Sequence, residues 1–234
     1  MKKIGILGGM SPESTCEYYK LLTRGYNRIK GGISSPRLII ESLDLQEITN
    51  WMDNQDYDSL LKRLLESARI LVLGGAEVII MATNTPHIVF DRLEKEVKVP
   101  MLSIMDATAS KIVDLGLKKV GLLGTRFTMK TTYYQKAFLK YDLEIIVPNE
   151  KDQEIIDQII WEELVYHKIN PLSRNRYLEV ISHLQSSGAE GIILGCTEIP
   201  LLIQQADCHI PVFDTTSIHV NAVLEYALSN SKED

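Results

Sequence analysis

Short apolar runs alternate along this chain with longer stretches in which apolar residues recur every three or four positions. The runs at 2–8, 36–43, 77–82, 118–124, 143–147 and 190–195 are rich in Ile, Leu and Val and end near Gly, Ser, Pro or Asn. A short segment apolar at every position predicts a strand buried on both faces. Between 57 and 73, Leu60, Leu61, Leu64, Leu65, Ala68, Leu71 and Val72 share one helical face, so this stretch predicts a helix laid over a sheet. Strands alternating with covering helices imply right-handed parallel crossovers and hence an α/β fold.

The pattern also repeats. Gly75-Ala76-Glu77-Val78-Ile79-Ile80-Met81-Ala82-Thr83 returns as Gly188-Ala189-Glu190-Gly191-Ile192-Ile193-Leu194-Gly195-Cys196 at a constant offset of 113. Lys2-Lys3-Ile4-Gly5-Ile6-Leu7-Gly8 returns as Lys118-Lys119-Val120-Gly121-Leu122-Leu123-Gly124 at an offset of 116. Two matches in the same order indicate a duplication. The expected architecture is two pseudo-symmetric, doubly wound parallel-sheet lobes with the active site in the cleft between them. Residues 1–105 plus 213–234 form the expected N-terminal lobe and 106–212 the C-terminal one. The stretch 214–229 reads as a helix that crosses back onto the first lobe, and 229–234 as a short tail.

With 234 residues, 45% hydrophobic content and a net charge of −6, the chain can bury two cores and lacks the positive field that nucleic acid requires. The first apolar run meets Gly8 and Gly9 after four residues, far short of a signal-peptide core. No run reaches the ~18 apolar residues of a membrane-spanning helix. These features predict a cytoplasmic protein with no membrane partner. Cys16, Cys196 and Cys208 are an odd number and are expected to be reduced rather than paired. The histidines show no ligand-like spacing, so no metal is expected.

In open α/β sheets ligands bind beyond the carboxyl ends of the strands, where Thr83 and Cys196 stand. Pro86 and Pro200 follow, at first-turn positions of expected helices, with Asn84, Thr85 or Thr197 available as caps. A helix start there would lower the pKa of Cys196, while Glu198 would raise it if its side chain turned inward. The bland alternative for a cysteine at a strand end is a small buried hydrophobe. Duplication and the polar Thr197-Glu198 that follows favour function for Cys196; Cys16 and Cys208 keep the bland reading.

Gly8-Gly9-Met10-Ser11-Pro12-Glu13-Ser14-Thr15, Thr83-Asn84-Thr85-Pro86-His87 and Gly195-Cys196-Thr197-Glu198-Ile199 together resemble the aspartate/glutamate racemase family. The resemblance covers the whole chain, including Leu123-Gly124-Thr125-Arg126-Phe127-Thr128-Met129 and Val212-Phe213-Asp214-Thr215-Thr216. It implies a homodimeric isomerase that racemises a small acidic amino acid without a cofactor, two cysteines flanking the substrate Cα. Cys196 matches the second cysteine, and Thr83 replaces the first. That replacement resembles the branch specific for L-aspartate and L-glutamate, which implies that Cys196 faces the proton of the L substrate. Reprotonation would then come from the Thr83 hydroxyl or from a water beside it, because a threonine is too weak an acid to serve as a base.

Asn84, Thr85 and Thr197 are candidates either to hold the α-carboxylate or to cap helices. Met10 stands in a loop that meets the substrate or merely turns between strand and helix, with Ser11 or Ser14 as cap. Glu198 completes the candidate binding set. Arg126 is a candidate cation for the second carboxylate or an exposed arginine; His87 is a charge stabiliser or a structural residue, and His219 calls for the same caution. Two other functions fit the pattern: a single-cysteine decarboxylase or isomerase of a related carboxylic acid, and an acidic amino-acid binding protein that lost turnover at Thr83.

Overall fold

The computed structural model describes residues 1–229; the expected tail at 229–234 lies outside them except for Ser229. The chain divides into two compact units, Met1–Ile104 with the residues from His219 onward, and Met105–Ile218.

The first unit runs β1 (Ile4–Gly8), α1 (Pro12–Lys30), β2 (Leu38–Ser42), α2 (Leu45–Asp53), α3 (Tyr57–Leu73), β3 (Val78–Met81), a 3-10 turn (Thr85–Val89), α4 (Phe90–Glu96) and β4 (Met101–Leu102). All pairings are parallel, in the order β2-β1-β3-β4. The second unit is built from α5 (Ile104–Asp114), β5 (Lys119–Leu123), α6 (Arg126–Lys130), α7 (Tyr133–Leu139), β6 (Glu144–Ile146), α8 (Glu150–Glu162), α9 (Pro171–Ser186), β7 (Gly191–Leu194) and β8 (Val212–Asp214). Its sheet is also parallel, in the corresponding order β6-β5-β7-β8. The final helix, α10, spans Thr215–Leu228.

The duplication extends to hydrogen-bond register. Ile4 pairs with Val78 and Val120 with Gly191, the same pair displaced by the two sequence offsets. Glu77 accepts the Lys3 N–H at 2.7 Å, and Glu190 accepts that of Lys119 at 2.9 Å. Gly5 and Gly121 repeat a packing constraint: a Cβ on Gly5 would sit 2.8 Å from Ala76 Cβ and 3.2 Å from Ile79, and one on Gly121 2.8 Å from Ile192 and 2.9 Å from Leu184. These strands run close under their covering helices because neither carries a side chain at that position.

Core composition explains the path of the C-terminus. Val220, Val223, Leu224 and Ala227 of α10 are buried with Ile4, Ile6, Tyr18, Leu22, Val78 and Ile80 in the first unit. The second core gathers Leu123, Ile156, Tyr177, Val180, Leu184, Ile192, Leu194 and Ile199. Because Val212–Asp214 pairs with β7, the chain leaves the second unit after Ile218 rather than at residue 212. Among the described residues no helix is long and apolar enough to cross a membrane, and no cluster of three His, Cys, Asp or Glu could hold a metal.

Candidate functional site

In the first unit two chain segments are stitched together beyond the strand ends. Gly9 adopts φ 83°, and a Cβ there would overlap the Leu43 backbone, so only glycine makes this turn. The turn delivers Ser11, whose extended backbone and side chain, accepting from Ser14 N at 3.2 Å, begin α1 with Pro12 in its first turn. Thr15 Oγ1 accepts from Gly9 N at 2.8 Å and donates to Ser11 O at 2.9 Å. Ser14 Oγ donates to Ala82 O at 2.7 Å, and Thr83 Oγ1 donates to Met10 O at 3.0 Å. Met10 and Thr83, two of the residues singled out from sequence, thus touch directly, and both are buried. Asn84, also buried, and the partly exposed Thr85 continue into the 3-10 turn. Asn84 makes no side-chain capping bond to that turn, so its expected capping role is not taken up.

His87, within this turn, meets a second buried histidine, His219, with ring centroids 6.4 Å apart. His219 Nε2 donates to Leu102 O at 3.0 Å, which leaves Nδ1 to accept from the Tyr18 hydroxyl at 2.8 Å. His87 Nε2 accepts from Ile104 N at 3.3 Å, and the ring stacks on Phe90 with centroids 5.2 Å apart. Burial, then the proximity of His219, lowers the His87 pKa to about 3, against smaller opposing contributions from the Thr83 and Asn84 backbone. Burial lowers that of His219 to about 4. Both rings are neutral near pH 7 and carry no positive charge there.

In the second unit the chain leaves β7 through Gly195, whose N–H donates to Leu123 O at 2.7 Å as Ala82 N does to Leu7 O at 2.9 Å. Cys196 is partly exposed, and its Sγ donates to Glu198 Oε2 at 3.0 Å. The same oxygen accepts from Thr197 Oγ1 at 2.8 Å. Cys196, Thr197 and Glu198 therefore form one hydrogen-bonded group, and the Thr197 hydroxyl is directed to a carboxylate rather than to a helix end. Burial first, then the charge of Glu198 and its hydrogen bond, push the Cys196 thiol well above its ordinary pKa, with a smaller push from Asp157. The expected lowering does not occur: the following helix, Ile199–Leu201, is a single 3-10 turn with little dipole, and Glu198 turns inward. The thiol rests in its protonated form, bonded to a carboxylate.

Arg126 is half-exposed, with Nη1 3.8 Å from Glu154 and its backbone N–H given to Asp157 at 2.7 Å. It lines an open hollow of about 370 Å³ with Glu154, Asp157, Gln158, Trp161 and Glu162, in which acids outnumber it. Thr15, Asp157 and Tyr177 also belong to these networks. Tyr177 is buried, and its pKa is raised by burial and then by Cys196, Asp157 and Glu163. Thr15 was legible as part of the Ser11-Pro12-Glu13-Ser14-Thr15 cluster after the glycines. Asp157 and Tyr177 carry no local motif and enter through tertiary packing.

Comparison with known proteins agrees with this geometry. A family model described as Asp/Glu/Hydantoin racemase matches residues 7–223. A crystal structure of a candidate Asp/Glu racemase from Yersinia pestis is 42% identical and has a TM-score of 0.92, covering 97% of this chain and 100% of that one. An aspartate racemase homologue from Pyrococcus horikoshii OT3 is 41% identical with a TM-score of 0.86, covering 97% and 99%. The broad specificity amino-acid racemase RacX of Bacillus subtilis (strain 168) is 26% identical over 225 residues, 92% of this chain and 93% of that protein. A strand-end cysteine bonded to a carboxylate, in a duplicated α/β chain matched by that model over nearly its whole length, places this protein in the Asp/Glu/hydantoin racemase family of isomerases.

Proposed function

We propose that this racemase interconverts the enantiomers of an acidic amino acid, aspartate or glutamate, by moving the Cα proton without a cofactor, and that Cys196 removes it from the L enantiomer. The observation that carries the reading is the Cys196–Glu198 pair at the end of β7. A thiol is a poor base, but it becomes a thiolate if its proton passes along this bond to the Glu198 carboxylate. The pair then keeps a single negative charge, so the transfer does not bury a second one. The thiolate takes the Cα proton, and the electron pair left behind is delocalised into the substrate's α-carboxylate. Thr197, beside Cys196, is assigned to that carboxylate; Asn84, Thr85 and Thr83, the counterpart of Cys196 in the repeat, are the candidate substrate residues of the first unit. The L assignment follows from threonine at the first cysteine position. A cytoplasmic homodimer belongs to the same reading.

The test is proton NMR of L-aspartate and L-glutamate in D₂O, following loss of the Cα proton beside formation of the D enantiomer, with a Cys196→Ala control. Loss that requires Cys196 and yields D product is the expected result. Cα exchange that survives Cys196→Ala, or no exchange with either amino acid, would overturn the reading. Because RacX is named for broad specificity, apolar amino acids belong in the panel, and they are expected to react more slowly than the acidic pair.

A further inference from the structure

We infer that Thr83 is a positioning residue for the Gly9–Met10 loop and not the group that returns the proton to Cα; this rests on the racemase reading above. A backbone carbonyl can only accept a hydrogen bond, so the 3.0 Å contact between Thr83 Oγ1 and Met10 O fixes the hydroxyl hydrogen on that line. Thr83 is buried, with 6% of its surface exposed, and so is Met10, also at 6%. Swinging the hydroxyl toward a substrate would leave the Met10 carbonyl without this partner. The lone pairs of Oγ1 stay available as acceptors, which suits a substrate ammonium and not a carbanion.

The surrounding bonds hold the loop at both of its ends. Leu43 N donates to Gly8 O at 3.0 Å, Gly9 N donates to Thr15 Oγ1 at 2.8 Å, and Ser14 Oγ donates to Ala82 O at 2.7 Å. The Ser14–Ala82 and Thr83–Met10 bonds fasten the loop after β1 to the end of β3, while Leu43 ties it to the segment after β2 and Thr15 to α1. A cysteine at position 83 would be a far weaker donor to Met10, so threonine gives a stiffer loop and forgoes a second thiol base. The proton that returns to Cα then comes from water. The hydroxide left behind is neutralised by the proton that Cys196 took, which regenerates the thiolate and closes the balance.

The test compares Thr83→Val, Thr83→Ser and Ser14→Ala for Cα exchange and D-product formation in D₂O, and for amide hydrogen exchange of the segment 8–15. A positioning role predicts that Thr83→Val and Ser14→Ala both lower kcat/KM by about three- to tenfold, the effect of one buried hydrogen bond. The ratio of inversion to exchange stays within about twofold of the parent, both variants speed amide exchange in 8–15, and Thr83→Ser restores both readouts. If Thr83 were the acid, Thr83→Val would cut inversion relative to exchange by roughly 10²-fold or more, while Ser14→Ala would leave the ratio alone. That result, or unchanged amide exchange in Thr83→Val, overturns the inference and spares the racemase reading. Absence of Cys196-dependent exchange in the parent protein overturns both.

Discussion

Cys196 gives its thiol hydrogen to Glu198: Sγ donates to Oε2 at 3.0 Å, and the carboxylate both holds that hydrogen and, after burial, raises the thiol pKa. Glu198→Gln separates these two effects. Without the negative charge the thiolate forms at lower pH, so alkylation of Cys196 by iodoacetamide should reach half-maximal rate at a lower pH than in the parent. Turnover should move the other way, falling by roughly 10²-fold, because glutamine cannot accept the thiol proton. A thiol that reacts faster in an enzyme that turns over more slowly would identify Glu198 as the proton acceptor. Parallel losses in both would reduce it to a packing residue.

Gly9 gives a second test, in which stability and activity fall together. Its φ of 83° disfavours any residue with a Cβ, and that atom would collide with the Leu43 backbone rather than with a side chain that could move aside. Gly9→Ala should therefore lower unfolding free energy by about 2–4 kcal/mol, read as a lower urea midpoint at unchanged m-value. Gly31→Ala isolates the backbone part: its φ of 76° and ψ of 178° lie in a region essentially confined to glycine, but nothing lies within 4 Å of its Cβ, so only backbone strain of about 1–3 kcal/mol remains.

How far residues alone reveal this molecule depends on whether a feature is local. The helix expected over 57–73 is present as Tyr57–Leu73 because its apolar spacing extends for more than four turns. The two strands hardest to see, Met101–Leu102 and Val212–Asp214, are only two and three residues long and owe their strand geometry to pairing with β3 and β7. The 113-residue repeat forecast equivalent register for Thr83 and Cys196 because strand register follows the buried apolar pattern. The charge state of Cys196 was not legible. It turns on the direction of the Glu198 side chain and on a 3-10 turn standing where a longer helix was expected, and both are set by packing. The neutrality of His87 was hidden for the same reason, since Phe90, Ile104 and His219 meet it only in the fold.

The buried histidines make acid the weak side of this fold. An unfolded histidine titrates near 6.5, whereas His219 is held at about 4 and His87 at about 3. Between the folded and unfolded values the unfolded chain binds more protons, so stability falls as pH drops from 6.5 toward 4. Each ring contributes a slope of about 1.4 kcal/mol per pH unit over the part of this window where only the unfolded form is protonated. Urea titrations at pH 7, 6, 5 and 4.5 should show the decline. His87→Gln, which keeps an acceptor for Ile104 N but cannot titrate, should remove about half of the slope. A slope unaffected by this substitution would assign the acid sensitivity to carboxylates instead.

A cysteine at one repeat position and a threonine at the other do not make racemisation one-way. L- and D-aspartate have the same free energy in water, so whatever Cys196 and Thr83 do, the ratio of kcat/KM in the two directions must equal one. A threonine at position 83 can slow both directions or shift KM and kcat together, but it cannot favour one enantiomer at equilibrium. Extended incubation of pure L- and of pure D-aspartate should therefore converge on equal amounts of the two, measured by chiral chromatography, with initial rates that differ only through saturation. At concentrations well below both KM values the two progress curves should be mirror images. An apparent preference that persists there would mean that one enantiomer is leaving by another reaction, and a carbon balance against α-keto acid and ammonia would find it.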